Sequence, residues 1–177
     1  MGNIANMFLK SKKIEGFSER RIEIANTQIL IRQVDLEDTK KLVAIEEAVY
    51  TGSAPWNQFA FVSEINQGRG NLYLSANVGG QAIAFIGISY RKRQHDLHIT
   101  NIAVLPIWQN KGLGSYLIKF AGQLVKENHL GILSLEVRRS NRKARKLYET
   151  LGFKEIQELP SYYDDDHEDA IEMEWCL

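Results

Sequence analysis

The sequence has only one cysteine, Cys176, which excludes a disulfide within the chain. So few cysteines are typical of a reducing compartment, because small secreted domains often depend on several disulfides. No apolar run approaches the ~20 residues that a membrane-spanning helix requires. At the start, MGNIANMFLKSKK has too short an apolar segment for a signal peptide, and Asn6 stands where a myristoylation motif requires Ser or Thr. We therefore expect a cytoplasmic protein that does not bind membranes.

An excess of charge of either sign is also missing, since 22 Lys and Arg residues stand against 22 Asp and Glu residues. A nucleic-acid-binding domain usually carries a basic excess, so direct binding of nucleic acid is not expected. The four histidines have no spacing typical of a metal site, and we expect no metal. With 177 residues, of which 44% are hydrophobic, the chain has the size and composition of one globular domain.

The first 27 residues are the least regular part of the sequence, because the charged stretch KSKKIEGFSERR has no sustained hydrophobic period. We interpret residues 1–27 as an N-terminal arm that is either partly ordered or a docking element for a partner. The regular pattern that follows assigns residues 28–177 to the folded domain. The oligomeric state does not follow from the sequence.

From Thr27 the hydrophobic pattern alternates between strand and helix periods. TQILIRQV alternates as a strand does, and Asp35 is a candidate N-cap for the following helix. LYLSANV, the turn GG and QAIAFIGISY are typical of a β-hairpin. Further on, a helix with an apolar face from Leu117 to Val125 lies between two strands, and Gly152 closes the next helix. The element order βααβββαβαββ predicts an α/β fold with a mixed, mostly antiparallel sheet.

The segment QNKGLG joins the strand that ends in TNIAV to the next helix. A glycine-containing helix start leaves backbone N–H groups unpaired at the positive end of the helix dipole, where an anion such as pyrophosphate binds. The same glycines are also compatible with an ordinary turn. Two other phosphate loops do not match, because Lys111 precedes Gly112 instead of following it and Leu117 stands where a dinucleotide fingerprint requires glycine.

QNKGLG matches the Gln/Arg-x-x-Gly-x-Gly/Ala loop of the GNAT acyltransferases, and the element order from Thr27 matches that fold. More narrowly, residues 28–177 resemble the bacterial ribosomal-protein-alanine N-acetyltransferases. The resemblance also rests on APW, TNIAV, SLEVRRSNRKARKLYETLGF and YYDDDHEDAIEM. It implies a GNAT fold with a splayed central pair of parallel strands. It further implies transfer of acetyl from acetyl-CoA to an amine, with the thioester in the gap between those strands.

The resemblance assigns roles to residues position by position. Glu136 of LEV falls on the family's proton acceptor, and Tyr148 of KLYE falls on its proton donor. Contacts with acetyl-CoA fall on the strand, the loop and the start of a later helix, at Ile102, Ala103, Val104, Asn110, Lys111, Gly112, Leu113, Gly114, Ser115 and Asn141.

The chemistry gives each catalytic candidate a test. An amine attacks a thioester only as the free base, so one group must remove a proton from the ammonium and another must supply one to the departing thiolate. Glu136, between Leu135 and Val137, can point into a partly dehydrated cleft, where its pKa would rise. Alternatively, Glu136 lies on a solvent-facing side of the strand with Ser134 and Arg138.

The other candidates also have structural alternatives. Tyr148 lies beside an apolar helix stripe, where an aromatic ring usually belongs to the core. Asn141 is also a candidate helix cap. Trp56, Tyr162 and Tyr163 are candidates for the walls of the acceptor groove, and ordinary packing explains each of them equally well.

Two charged runs are open to two interpretations each. The acidic residues 164–169 either form a solvated hairpin loop or attract a cationic peptide N-terminus. The basic residues 142–146 either form the solvated side of a helix or help to hold the CoA phosphates.

The sequence therefore predicts an N-acetyltransferase that moves acetyl from acetyl-CoA to a protein N-terminal amine by direct attack. The resemblance favours the N-terminal alanine of a ribosomal protein as the acceptor. Cys176 lies outside the predicted cleft, so no covalent enzyme intermediate is expected. Three alternatives stay open: an acetyltransferase for small-molecule amines, one for internal lysines, and a CoA-binding regulatory module without catalysis. The presence of both Glu136 and Tyr148 argues against the last.

Overall fold

The computed structural model describes residues 13–50, 55–68 and 70–177. Residues 1–12 of the predicted arm and residues 51–54 of the predicted helix break lie outside the described residues. The strands are β1 (Arg20–Ile24), β2 (Thr27–Gln33), β3 (Asn71–Val78), β4 (Gln81–Arg91), β5 (Asp96–Val104), β6 (Ile132–Arg138), β7 (Lys154–Leu159) and β8 (Ala170–Cys176). The helices are α1 (Thr39–Val49), α2 (Gln58–Asn66), α3 (Leu113–Glu127) and α4 (Arg142–Leu151), with short 3-10 helices at Leu36–Asp38 and Pro106–Trp108.

The strands of the described residues form one sheet in the order β1-β2-β3-β4-β5-β6-β8-β7. Neighbouring strands are antiparallel except β5 and β6, which are parallel and are joined by α3. Gly79 and Gly80, with φ of +54° and +82°, make the predicted hairpin turn between β3 and β4. The mixed sheet and the element order from Thr27 are therefore confirmed.

Strand β1 is a feature that the sequence pattern did not reveal. It pairs with β2 from Arg20 opposite Ile31 to Ile24 opposite Thr27. The turn between the two strands is Ala25–Asn26, whose φ angles of +51° and +58° are those of a tight hairpin turn. This turn lacks the glycine that usually marks such a position, so the hairpin was missed. Part of the segment that we interpreted as an arm is an edge strand of the sheet.

The chain before β1 packs against α3. Ile14 is buried, and the ring of Phe17 meets that of Phe120 edge-on, with centroids 6.1 Å apart. The backbone N–H of Glu15 donates to Oδ1 of Asn128 at 3.0 Å. These contacts continue the apolar surface of α3 onto residues 13–17.

Helices cover both faces of the sheet. On one face, α3 buries the predicted positions, each at most 1% exposed: Leu117, Ile118, Ala121, Leu124 and Val125. On the other face, Leu42 and Ile45 of α1 pack with Phe61 of α2 and Phe85 of β4. Successive strand residues point to opposite faces, which separates these two apolar clusters. Among the described residues, no helix is long and apolar enough to cross a membrane.

Strands β5 and β6 separate after a short parallel contact. Two pairs of partners join them, Leu97 with Leu133 and His98 with Ser134. Beyond these pairs β5 and β6 no longer pair with each other, although β5 still pairs with β4 and β6 with β8. A bulge opposite Gly87 bends β5 at this point. A Cβ at Gly87 would lie 2.5 Å from a neighbouring tyrosine ring, so the bulge requires glycine. The predicted splayed pair of parallel strands is confirmed.

Candidate active site

The side chain of Glu136 lies on β6 where the two strands separate, and it is 12% exposed. Its Oε2 is 3.0 Å from Nε2 of His98 on β5, and its Oε1 is 3.4 Å from Nη1 of Arg91 on β4. Ser134, which shares this face of β6, is fully buried. The alternative of a solvent-facing glutamate is therefore wrong.

Five side chains form a polar cluster beneath the gap: Arg91, Asp96, His98, Ser134 and Glu136. The Ser134 hydroxyl donates to Oδ2 of Asp96 at 2.5 Å, and Nδ1 of His98 is 3.0 Å from the same hydroxyl. Nη2 of Arg91 donates to Asp96 and to Ser134, each at 2.7 Å. Because the members satisfy one another, the cluster holds Glu136 in one geometry.

Sequence analysis missed this cluster, although a signal for it exists. Asp96 and His98 stand two residues apart on β5, and Ser134 and Glu136 stand two residues apart on β6. The parallel register puts His98 opposite Ser134, so all four side chains share one face of the sheet. The missing information was which two strands lie side by side.

The expected rise in the Glu136 pKa is wrong. Burial alone would raise the pKa of this carboxyl, but the hydrogen bond and charge of His98 act in the opposite direction. The charge of Arg91 and the nearby hydroxyl of Tyr162 add to that effect, and the pKa of Glu136 falls below its ordinary value. Glu136 is therefore a carboxylate at neutral pH, which is the form that accepts a proton.

Tyr162 and Tyr163 lie beside Glu136, in the connection between β7 and β8. Tyr162 lies close enough to Glu136 for the carboxylate to affect the pKa of its phenol, and the two tyrosine rings pack edge-on with centroids 5.3 Å apart. Burial, followed by the charge of Glu136, raises the pKa of Tyr162. The Tyr162 ring nevertheless remains 46% exposed, so it borders both the carboxylate and the solvent.

Arg138 fixes this connection to β6. Its guanidinium lies 4.0 Å from the ring centroid of Tyr163. The same group bonds Asp165, Asp166 and Glu168 at 2.8–3.0 Å. Bonding to Arg138 lowers the pKa of Asp166. The acidic run is thus an ordered element whose charge is partly compensated, a case that the two sequence interpretations did not include.

Tyr148 lies on α4 and is 8% exposed. Its ring packs on Phe153, with centroids 5.6 Å apart, which confirms the core position of the ring. Burial, followed by the proximity of Tyr50, raises the pKa of the Tyr148 phenol well above its ordinary value. Burial raises the pKa of Tyr50, and the charge of Arg138 acts in the opposite direction. The role of Tyr148 as proton donor stays a prediction.

The segment from Ile102 to Val104 lies on the part of β5 that has left β6. Gln109 ties this segment to the loop and to α4. Its Nε2 donates to the carbonyl of Val104 at 3.0 Å, and its Oε1 accepts from Nζ of Lys143 at 3.0 Å. The strand end, the loop and the first turn of α4 therefore meet at one point.

The loop 110–115 has the backbone of an anion site. Asn110 and Gly112 adopt φ of +59° and +92°, and α3 begins at Leu113. A Cβ on Gly112 would meet nothing within 4 Å, so there is open space beside the first N–H groups of the helix, which have no acceptor within the helix. This arrangement fits the pyrophosphate of acetyl-CoA. Leu113 is fully buried, so only its backbone is available for such a contact.

Asn141 is the N-cap of α4, because its Oδ1 accepts a hydrogen bond from the backbone N–H of Ala144 at 3.1 Å. Its contact with acetyl-CoA stays a prediction. In the basic run, Arg145 is paired with Glu155, whereas Lys143 reaches toward the loop. Lys143 is therefore bonded to Gln109, directly before the loop 110–115.

Trp56 lies in the connection between α1 and α2, and its ring packs on Phe61 with centroids 5.4 Å apart. Its backbone N–H donates to Oε2 of Glu46 at 2.8 Å, while Oε1 of Glu46 accepts from Nδ2 of Asn101 at 2.9 Å. Glu46 is 3% exposed, and burial raises its pKa to about 7. Sequence reasoning did not single out Glu46, although a charged residue four positions after the buried Leu42 was a signal.

Known proteins share this architecture. Residues 38–153 match the Acetyltransferase (GNAT) family. The chain is 34% identical over 147 residues to the putative ribosomal protein bS18-alanine N-acetyltransferase of Bacillus subtilis. The match covers 83% of this chain and 95% of that protein. It is 34% identical over 145 residues to the ribosomal protein bS18-alanine N-acetyltransferase of Escherichia coli K12, covering 81% and 94%. The crystal structure of the Escherichia coli ribosomal-protein-S18-alanine N-acetyltransferase matches with a TM-score of 0.73 and 32% identity, covering 84% of this chain and 93% of that one.

Proposed function

The chain belongs to the GNAT acetyltransferase family and is an acetyl-CoA-dependent N-acetyltransferase, and on this premise we propose that it acetylates the N-terminal α-amine of a protein. A ribosomal protein that begins with alanine is the favoured acceptor, because two relatives are named for that reaction. One observation carries the proposal: the carboxylate of Glu136 lies at the separation of two parallel strands, bonded to both His98 and Arg91.

Glu136 is the proposed base. An α-amine has a pKa of about 8, so the acceptor is largely an ammonium at neutral pH. The ammonium gives its proton to the Glu136 carboxylate, and the free amine nitrogen then forms a bond with the thioester carbonyl carbon. His98 and Arg91 keep the carboxylate ionised beforehand and stabilise its position.

Tyr148 is the proposed donor to the sulfur. The C–S bond breaks as the C–N bond forms, and negative charge develops on the departing thiolate. A buried phenol with a raised pKa keeps its own proton, so its first contribution is a hydrogen bond that stabilises this charge. Transfer of the phenolic proton then gives the free thiol of CoA, and the second proton, lost by the nitrogen as the amide forms, restores the Tyr148 phenol.

Acetyl-CoA supplies the activated acetyl group, and the loop 110–115 would hold its pyrophosphate. The backbone N–H groups at the start of α3 would bond the phosphate oxygens, and Lys111 and Lys143 would add positive charge at the same place. The strand segment from Ile102 to Val104 would lie along the thioester. Asn141, as the N-cap of α4, would lie beside the bound acetyl-CoA.

The acceptor groove would be walled by Trp56, Tyr162 and Tyr163. A peptide N-terminus fits this groove better than a polyamine, because the single charge of Arg138 partly compensates the acidic run through contacts with three of its carboxylates. A polycation would find less uncompensated negative charge there than the sequence alone indicates.

A panel of acceptors tests the proposal. Each acceptor is incubated with acetyl-CoA, and the mass of the product is measured by mass spectrometry. The acceptors are peptides that begin with Ala, Ser or Met, an N-blocked peptide with an internal lysine, and spermidine. We expect one acetyl group on the free α-amine of the Ala peptide. Modification of the blocked peptide instead would identify a lysine acetyltransferase, and modification of spermidine alone would identify a small-molecule enzyme.

The variant Glu136→Gln tests the base within the same assay. We expect turnover to fall by about 100-fold or more, because general base catalysis typically contributes that much. Binding of acetyl-CoA, measured by calorimetry, should stay within about twofold of wild type. Glu172→Gln is the matched control, since Glu172 is a neighbouring carboxylate 3.9 Å from Arg91. Equal loss in both variants would contradict the base role.

A further inference from the structure

Glu46 is a buried carboxyl for which the proposed proton transfers have no use. Its helix face otherwise buries Leu42 and Ile45, and it is 3% exposed itself. Removing a carboxylate from water is costly, and two neutral N–H donors are the groups that bond it. An apolar residue would fill this position at lower cost. The carboxyl therefore contributes something other than packing.

The two partners of Glu46 belong to two separate elements of the proposed site. Asn101 directly precedes Ile102, where β5 leaves β6 and the thioester is expected to lie. Trp56 belongs to the proposed acceptor wall, and its ring is seated on Phe61. One carboxyl thus joins the connection between α1 and α2 to the strand that would hold the acetyl donor.

We propose that Glu46 is a positioning residue for the acceptor, which holds Trp56 and Asn101 together so that the amine approaches the thioester at the correct separation. The inference rests on the proposed function and adds a residue that does not touch the reacting atoms. Attack requires the reacting atoms to be about 3–3.5 Å apart, so a small displacement of the acceptor wall has a large effect. We call the pair of hydrogen bonds at Glu46 the carboxyl tie.

Asn101 makes the carboxyl tie depend on protonation. Its Oδ1 is buried and has no hydrogen-bond partner among the described residues, while its Nδ2 donates to Glu46. A protonated Glu46 carries a hydrogen that needs an acceptor, and a turned amide would offer Oδ1 for it. Tyr50, directly after α1, and Tyr73 on β3 are the titratable groups whose pKa values the charge of Glu46 affects. Both phenols have raised pKa values and stay neutral up to pH 8, so Glu46 is the group that changes charge.

The test compares Glu46→Ala and Glu46→Gln with wild type, using the Ala peptide. We expect Glu46→Ala to raise KM for the peptide about tenfold, the effect of losing roughly one charged hydrogen bond. KM for acetyl-CoA should stay within about twofold. Equal rises in both KM values would mean a merely structural role and would overturn the inference, as would unchanged values. Glu47→Ala and Glu47→Gln are matched controls, because Glu47 is the exposed neighbour on the same helix.

A pH series on Glu46→Gln separates positioning from general damage, and it needs no information from the alanine variant. Glutamine keeps the shape and mimics the protonated carboxyl, with its amide donating to a turned Asn101. The ionisation of the peptide amine affects KM equally in both enzymes, so its effect cancels in the ratio of the variant KM to the wild-type KM. We expect this ratio to be largest at pH 8, where wild-type Glu46 is ionised, and to fall toward one at pH 6. A ratio that is constant with pH would overturn the inference.

Failure of the proposed function has a different signature. If wild type modifies no peptide, the proposed function is wrong whatever Glu46 does. The same ratio is then measured with the member of the panel that wild type does acetylate. A pH-dependent ratio there would support the carboxyl tie, and a flat one would overturn it.

Discussion

Nε2 of His98 lies 3.0 Å from Oε2 of Glu136, while Nδ1 of the same ring lies 3.0 Å from the Ser134 hydroxyl. The single hydrogen of that hydroxyl is donated to Asp96, so Nδ1 must be the donor toward Ser134. Nε2 then bonds Glu136 only when it also carries a hydrogen. A single proton therefore lies between Nε2 of His98 and Oε2 of Glu136. This position is next to the place where the acceptor amine would give up its proton.

The variant His98→Ala tests this relationship. Without the imidazole, burial dominates and the pKa of Glu136 rises, so the carboxylate is lost at a higher pH than in wild type. We expect the acidic limb of kcat/KM against pH to move to higher pH, and kcat at pH 7 to fall about tenfold or more. His129→Asn is the control, because His129 is exposed and asparagine tolerates its positive φ. An unmoved acidic limb would contradict the shared proton.

Tyr148→Phe tests the donor at the sulfur. The ring and its contact with Phe153 remain, so the melting temperature should change little, whereas kcat should fall about 10- to 100-fold. Tyr116→Phe, which removes a hydroxyl from another tyrosine packed on the same core, is the control. Activity at the wild-type level in Tyr148→Phe would remove Tyr148 from the reaction.

Gly112→Val tests the anion site. The φ of +92° is strained for any residue with a Cβ, and the new side chain would enter the open space beside the start of α3. We expect affinity for acetyl-CoA, measured by calorimetry, to fall about tenfold or more. Gly131→Ala is the control, because a Cβ there also meets nothing within 4 Å but the backbone has no positive φ. Equal affinity for acetyl-CoA in Gly112→Val and wild type would contradict the site.

Glu46→Gln should also change the pH dependence of stability. The pKa of Glu46 rises from 4.5 to about 7 on folding, so between these pH values the folded chain binds more protons than the unfolded one. Stability therefore falls as pH rises through this window, and the penalty is complete above pH 7. Glutamine removes that penalty, so urea unfolding at pH 8 should show a gain of roughly 1–3 kcal/mol over wild type, which disappears near pH 4. A gain of the same size at both pH values, or in Glu47→Gln, would contradict the assignment.

The elements that the sequence predicted well are those with a local signal. The helix face from Leu117 to Val125 repeats at helical spacing, and Gly152 ends α4 in a left-handed conformation as expected. Glu136 and Tyr148 were chosen as catalytic candidates because a motif of adjacent residues marks them, and their roles stay predictions. Such features depend on neighbours along the chain and not on the arrangement of the sheet.

The features that were missed depend on strand order or on unusual turn residues. His98 and Ser134 are ordinary alternating positions until β5 and β6 are placed side by side. The direction of the Glu136 pKa followed from the same partners, which only the tertiary structure supplies. The role of Glu46 was missed because one of its hydrogen-bond partners, Trp56, lies ten positions later in the chain.

Strand β1 covers a sheet edge that would otherwise be open to pairing with another copy. Ile29 and Ile31 of β2 are fully buried, and the backbone of β2 would be an open sheet edge without β1. Open edges recruit strands from other copies and lead to aggregation. The outer strand RRIEI instead presents charged side chains to any approaching copy, which opposes pairing between molecules. A shortened chain that begins at residue 28 would lose this protective strand, and its solubility at high concentration would decline even with every catalytic group intact.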